Sequence, residues 1–173
     1  MWKKKDAPFF GDPGAKVVIV EFGDFQCPIC KAEAPILKRL LGDESSVKLI
    51  FRNFPNPLSH PQALSAALAA MCANEQGKFW EYHDQLYANQ NDLSSDNLKN
   101  LAVTIGLNAE TFNQCLENNK YFSKIKSDME DGLVLNITGT PTLYINGNKV
   151  AGNISYETLK MIIDRIKQTQ TVK

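Results

Sequence analysis

Residues 16–22 contain the run Val17-Val18-Ile19-Val20, β-branched and apolar on both alternating sets of positions. Such a run predicts a central strand buried on both faces. Residues 31–41 then carry Ala32, Ile36, Leu37, Leu40 and Leu41 at helical spacing, and Gly42-Asp43 end the pattern. In residues 47–54 the apolar positions alternate, Val47, Leu49 and Phe51 against polar partners, until Pro55-Asn56-Pro57 breaks the strand. Strand, helix and strand at these lengths form a βαβ unit with its two strands parallel.

From His60 the period changes for about seventy residues. Residues 61–74 are alanine-rich, Gly77 marks a break, and residues 78–90 place Phe79, Tyr82, Leu86 and Tyr87 on one helical face. Residues 94–105 and 108–118 each open with a capping residue, Ser94 and Asn108, and 121–135 continue in the same style. Strand signals return at 142–145 and 149–151, which flank Asn146-Gly147-Asn148, a hairpin turn; residues 155–168 close as a helix capped by Ser155. There is no repeat or low-complexity tract. The predicted fold is α/β, with an all-helical insertion in the middle of the sheet.

Composition narrows the function classes. The chain has 173 residues, 43% of them hydrophobic, enough for one packed core. Its 19 basic and 19 acidic residues cancel, which removes the electrostatic footprint of a nucleic-acid or anionic-membrane binder, Lys3-Lys4-Lys5 being the only basic run. No stretch reaches the roughly 18 apolar residues of a membrane span, and the N-terminus lacks a signal-peptide core, so the expectation is a mature or trimmed chain.

The chemistry concentrates in Cys27-Pro28-Ile29-Cys30, directly after the first strand and at the start of the following helix. Orphan N–H groups and the positive end of a helix dipole stabilise a thiolate, lowering a cysteine pKa from about 8.5 to between about 3.5 and 7.5. Pro28 suits the first helical position, where no N–H is lost. Cys27 is therefore the expected nucleophile of a redox dithiol and Cys30 its partner. The same spacing is half a zinc site, which Cys72 and Cys115 are able to complete, but the C-terminal end of a buried parallel strand is where α/β sheets bind substrates. For Cys72 and Cys115, 43 positions apart, two readings stand: buried free thiols, or a disulfide tying the first inserted helix to the fourth, which is favoured.

Other polar residues read more simply. Asp24, in a strand-end loop, is expected to face water, and Arg52 to be a solvated strand-end charge. His83, among Trp80, Tyr82, Leu86 and Tyr87, reads as a packing or capping residue. His60 approaches the dithiol only if the insertion covers the active site. The aromatic set Phe79, Trp80, Tyr82 and Tyr87 reads as core.

Taken with Thr140-Pro141 before the third strand, Phe51-Arg52-Asn53-Phe54-Pro55, and the stretch from Cys72 to Trp80, the dithiol and the element order resemble the DsbA-like branch of the thioredoxin superfamily. That resemblance implies a thioredoxin-like domain from residues 1–59 and 134–173, with 60–133 an inserted helical subdomain. It implies that Thr140-Pro141 is a cis-proline loop facing the dithiol, and that Thr140, Pro141, Pro28 and Ile29 contact substrate. Glu21 takes the position of an acidic residue beneath the active site. The implied activity is thiol–disulfide exchange on cysteines of extracytoplasmic proteins, with no cofactor beyond the Cys27–Cys30 disulfide, no metal, no nucleic acid, and a membrane redox partner for recycling. A signal peptide or anchor is expected to be absent from this chain. Ile29 stands where the DsbA type often has histidine and offers neither charge nor N–H; an oxidase ranks first, an isomerase or reductase second, and a soft-metal or partner-docking module last.

Overall fold

The computed structural model describes residues 7–171; the basic run Lys3-Lys4-Lys5 lies outside the described residues. The elements run β1 (Phe9–Gly11), β2 (Val17–Gly23), α1 (Pro28–Asp43), β3 (Val47–Asn53), α2 (Ala63–Glu75), α3 (Phe79–Ala88), α4 (Ser95–Thr104), α5 (Ala109–Glu117), α6 (Phe122–Val134), β4 (Thr142–Ile145), β5 (Asn148–Ala151) and α7 (Tyr156–Thr171). One sheet has the order β1-β3-β2-β4-β5. The run at Val17 is its central strand, parallel to β3 and antiparallel to β4, with every residue buried.

Alternation along β2 assigns its side chains to two cores. Val17 and Ile19 pack with Leu37 and Leu40 of α1 and Leu159 and Ile163 of α7. Val18, Val20 and Phe22 point to the other face, against Ile50, Ile137 and Tyr144. By the same period Glu21 shares the α1 face with Val17 and Ile19, opposite Phe51 on β3 and Leu143 on β4. A third core fills the helical block and continues under the dithiol: Cys27, Cys30 and Phe25 belong to the same apolar cluster as Ala66, Tyr82, Leu86 and Phe112. Within that block Cys72 of α2 and Cys115 of α5 are bonded to each other, so neither joins the dithiol in a four-sulfur set.

Several expectations needed correction. Edge strand β1 went unread, because Phe9-Phe10-Gly11 is short and both phenylalanines are exposed, leaving no alternation. Helix α1 starts at Pro28, the first helical position expected for it, ahead of the apolar pattern that begins at residue 31, and Cys30 lies inside its first turn. Ser94 makes no side-chain cap, whereas the Asn108 side chain accepts from the Thr111 amide and Ser155 Oγ from the Thr158 amide. Arg52 is not a solvated charge: it is fully buried, its Nε 2.6 Å from Asp128 Oδ1 and its Nη2 2.7 Å from Asp131 Oδ2, both on α6. A guanidinium at that depth requires carboxylates, and the pairing ties β3 to α6.

Candidate active site

Cys27 is the N-cap of α1 in an extended conformation, and Pro28 takes the first helical position. Three features hold its sulfur as a thiolate. The Cys30 thiol donates to it, the Thr140 side chain adds a hydrogen bond, and the backbone N–H groups of Cys30 and Ile29 point toward it. Burial opposes them, as does the Thr140 carbonyl, which lies 3.2 Å from Sγ and accepts from the protonated thiol. The donors prevail, and the Cys27 pKa falls from 9.0 to about 5. Cys30 is pushed the other way, far above the ordinary thiol range, first by burial, then by donating to Cys27 and by the charge of Glu21. The pair is thus one ready thiolate and one retained proton.

Glu21 lies on β2 with its carboxyl fully buried, and neither oxygen has a hydrogen-bond partner. Burial, with smaller contributions from Glu33 and Cys27, raises its pKa from 4.5 to about 8. It is therefore protonated at pH 7, and the charge by which it raises Cys30 develops only as pH climbs through about 8. Gly23, two residues on, has no room for a side chain: an added Cβ there comes 2.7 Å from the Phe51 ring and 3.4 Å from Glu21 Oε1.

The Thr140–Pro141 peptide bond is cis, and its loop brings the Thr140 carbonyl to Cys27. Behind this loop sits Gly152, where a Cβ would lie 2.4 Å from both Pro141 Cγ and Pro141 O. The next two amides, of Asn153 and Ile154, donate to the buried carboxylate of Glu33 on α1. Sequence reading missed Gly152 and Glu33, since neither sits in a motif and their contact spans 121 positions for Ile154.

The loop before the dithiol is fixed by residues far from it in sequence. Asp24 does not face water; it is 1% exposed and accepts from the amides of Gln26 and Asn56, while His60 Nδ1 lies 2.9 Å from its Oδ2. Gln26 Oε1 accepts from the Gln62 amide, 2.5 Å away, and Gln90 Nε2 donates to the carbonyls of Phe25 and Cys27, each at 2.9 Å. His60 also joins Cys27, Phe54, Leu58, Leu133 and Thr140 around a groove of about 370 Å³. Its rim is apolar and open, with Leu58 97% exposed and Leu133 64%, and Ile29, between Cys27 and Cys30 in the chain, is 48% exposed. Among the described residues, no group of three or more His, Cys, Asp or Glu side chains is placed to hold a metal ion.

A family model described as thioredoxin matches residues 3–165. The chain belongs to the thioredoxin family. A probable disulfide bond formation protein D of Bacillus anthracis is 31% identical over 166 residues, 90% of this chain and 76% of that protein. Among solved structures, a thioredoxin-like oxidoreductase from Silicibacter pomeroyi superposes with a TM-score of 0.86 at 27% identity, covering 95% of this chain and 94% of that one. Oxidised BdbD from Bacillus subtilis gives 0.84 at 28%, covering 94% and 93%. Within the family the chain has the thioredoxin-like fold and is similar to the DsbA-like thiol–disulfide oxidoreductases. A Na(+)/H(+) antiporter NhaA 1 of Salinispora arenicola is 34% identical over 153 residues, 88% of this chain but 24% of that protein. The chain thus spans about a quarter of the length of the antiporters it matches. No helix among the described residues is long and apolar enough to cross a membrane.

Proposed function

We propose that this member of the family introduces disulfides into proteins outside the cytoplasm, with Cys27 and Cys30 as its only redox group. The observation that carries the reading is the opposition between the two thiols, one lowered to about 5 and the other raised far above its ordinary range. A substrate thiolate attacks Cys27 Sγ of the oxidised pair. The Cys27–Cys30 bond breaks, Cys30 leaves as a thiolate, and Glu21 supplies its proton. The second substrate thiolate then attacks the substrate sulfur of the mixed disulfide and expels Cys27, a good leaving group because its thiolate is stable. The substrate departs with the new disulfide, and the enzyme holds the two electrons until a redox partner, expected in the membrane, removes them.

Thr140, beside Pro141, offers backbone groups to an extended peptide, and main-chain pairing of this kind tolerates many sequences. Leu58 and Leu133 give the peptide an apolar rim, and exposed Ile29 lies between Cys27 and Cys30 in the chain. Each pKa unit by which Cys27 lies below ambient pH stabilises the reduced form by about 1.4 kcal/mol, or about 30 mV of oxidising power. Exposed Ile29 adds no charge to this, so the thiolate depends on Cys30, Thr140 and the helix N–H groups.

The test is the thiolate absorbance titration of reduced protein together with the potential in glutathione buffers. An oxidase gives a Cys27 pKa near 5 and a potential more positive than about −180 mV; a pKa near 7 with a potential near about −270 mV assigns the protein to the reductants. Cys27→Ala abolishes dithiol oxidation, and Cys30→Ala accumulates mixed disulfides at Cys27. Full activity in Cys27→Ala overturns the reading.

A further inference from the structure

A second cavity, of about 460 Å³, lies between α1, α3 and the strand face that carries Glu21. Its walls are apolar, formed by Phe10, Leu37, Leu49 and Trp80. Two buried polar side chains break that lining, Glu21 from β2 and His83 from α3. Both oxygens of Glu21 and Nε2 of His83 have no hydrogen-bond partner. Buried polar groups are as a rule paired, and unpaired ones that share a cavity mark a place where water is bound. The other nitrogen of His83 faces outward: Nδ1 lies 3.1 Å from Asp84 Oδ1. Asp84, 42% exposed, accepts from Lys38 Nζ at 2.5 Å, and both of these residues line the same cavity where it meets solvent.

We propose that this cavity is a hydrated proton route between bulk solvent and Glu21, with His83 as its relay and Asp84 as the residue that orients His83. The Asp84 carboxylate favours the Nδ1–H tautomer and leaves the Nε2 lone pair facing the cavity. His83 takes up through water the proton that Glu21 releases, and the imidazolium, held by Asp84, passes it to bulk water at the mouth. In the opposite direction the route recharges Glu21 after Cys30 has been protonated. Burial depresses the His83 pKa, so the ring is in its accepting form at neutral pH. The groups that bear on the two ends are Glu33, Cys27 and Cys30 of α1 around Glu21, and Asp84 with Lys38 around His83; the buried Tyr87 hydroxyl, also without a hydrogen-bond partner, senses Glu21 and Cys30.

The inference rests on the reading that Glu21 exchanges a proton with Cys30, and the experiment separates the two. Reduced protein is mixed with glutathione disulfide, so that the Cys27 thiolate takes one glutathionyl sulfur and expels the other glutathione as a thiolate, and the resolving step that follows is watched in a single turnover. In that step Glu21, protonated at pH 7, first gives up its proton through His83; the Glu21 carboxylate then takes the Cys30 proton, the Cys30 thiolate attacks Cys27 Sγ, the Cys27–Cys30 bond forms and glutathione leaves as a thiolate. His83→Phe, which keeps an aromatic ring in the cluster, slows this step at least tenfold at pH 7 and leaves the alkylation rate of Cys27 unchanged. His83→Ala is slowed likewise and recovers on addition of imidazole, in proportion to the free base, a response that a purely structural role does not give. His83→Gln is measured beside them, so that the result does not depend on one variant folding. A wild-type resolving rate in any folded His83 variant overturns the proton route. Glu21→Gln reports on the underlying reading: slow resolution there with fast resolution in His83→Phe overturns the route alone, and fast resolution in both overturns the proton role of Glu21 as well.

Discussion

Glu21 is the residue whose environment makes the sharpest claim on solution behaviour. Its pKa is raised from 4.5 to about 8, so between those values the folded state binds one more proton than the unfolded state. The stability it contributes is complete below pH 4.5 and is lost as pH rises through about 8, by about 1.4 kcal/mol per pH unit inside that window. Glu21→Gln removes this slope. Urea denaturation of the oxidised proteins, in which the cysteines do not titrate, checks it: wild type weakens relative to the variant from pH 5 to 8. Gly152 makes a second claim, through space rather than charge. Gly152→Ala forces its Cβ against Pro141, and the shift costs about 1 to 3 kcal/mol and weakens binding of an extended dithiol peptide. Denaturation and peptide titration of the variant test both effects.

At the scale of elements, the sequence was legible wherever one period ran for several turns or strands. The central strand, the parallel βαβ unit, the five helices between β3 and β4, and the final hairpin all follow from apolar spacing, and the dithiol from its place between β2 and α1. What could not be read is set by contacts across many positions. Asp24 carries no sign in its own neighbourhood that Asn56 and His60 will bury it, and Arg52 none that α6 will supply Asp128 and Asp131. The pairing of Cys72 with Cys115 was one of two open readings, because sequence does not say whether two helices approach closely enough. Its loop spans 43 positions, and on the chain-entropy account removing it with Cys72→Ala and Cys115→Ala costs up to about 4 kcal/mol. Thermal denaturation measures that loss. The exchange activity at Cys27 survives at temperatures where the helical block stays folded, since neither cysteine belongs to the dithiol.

For the molecule as a whole, the pairing of Arg52 with Asp128 and Asp131 is a buried polar tie between the sheet and α6. Asp128→Ala leaves the Arg52 guanidinium with one carboxylate fewer in an apolar setting, a loss of about 3 to 5 kcal/mol, seen as a lower denaturation midpoint. The tie between α1 and the proline loop has a different consequence. Helix α1 starts at the nucleophile, and one turn beyond Cys30 its Glu33 grips the amides of Asn153 and Ile154, beside the glycine on which Pro141 rests. The sulfur and the loop proposed to hold the peptide are thus tied together through Glu33. The spacing between them is set when the chain folds, so on the proposed reading a substrate strand enters a site already ordered, and that ordering is not left to the moment of catalysis.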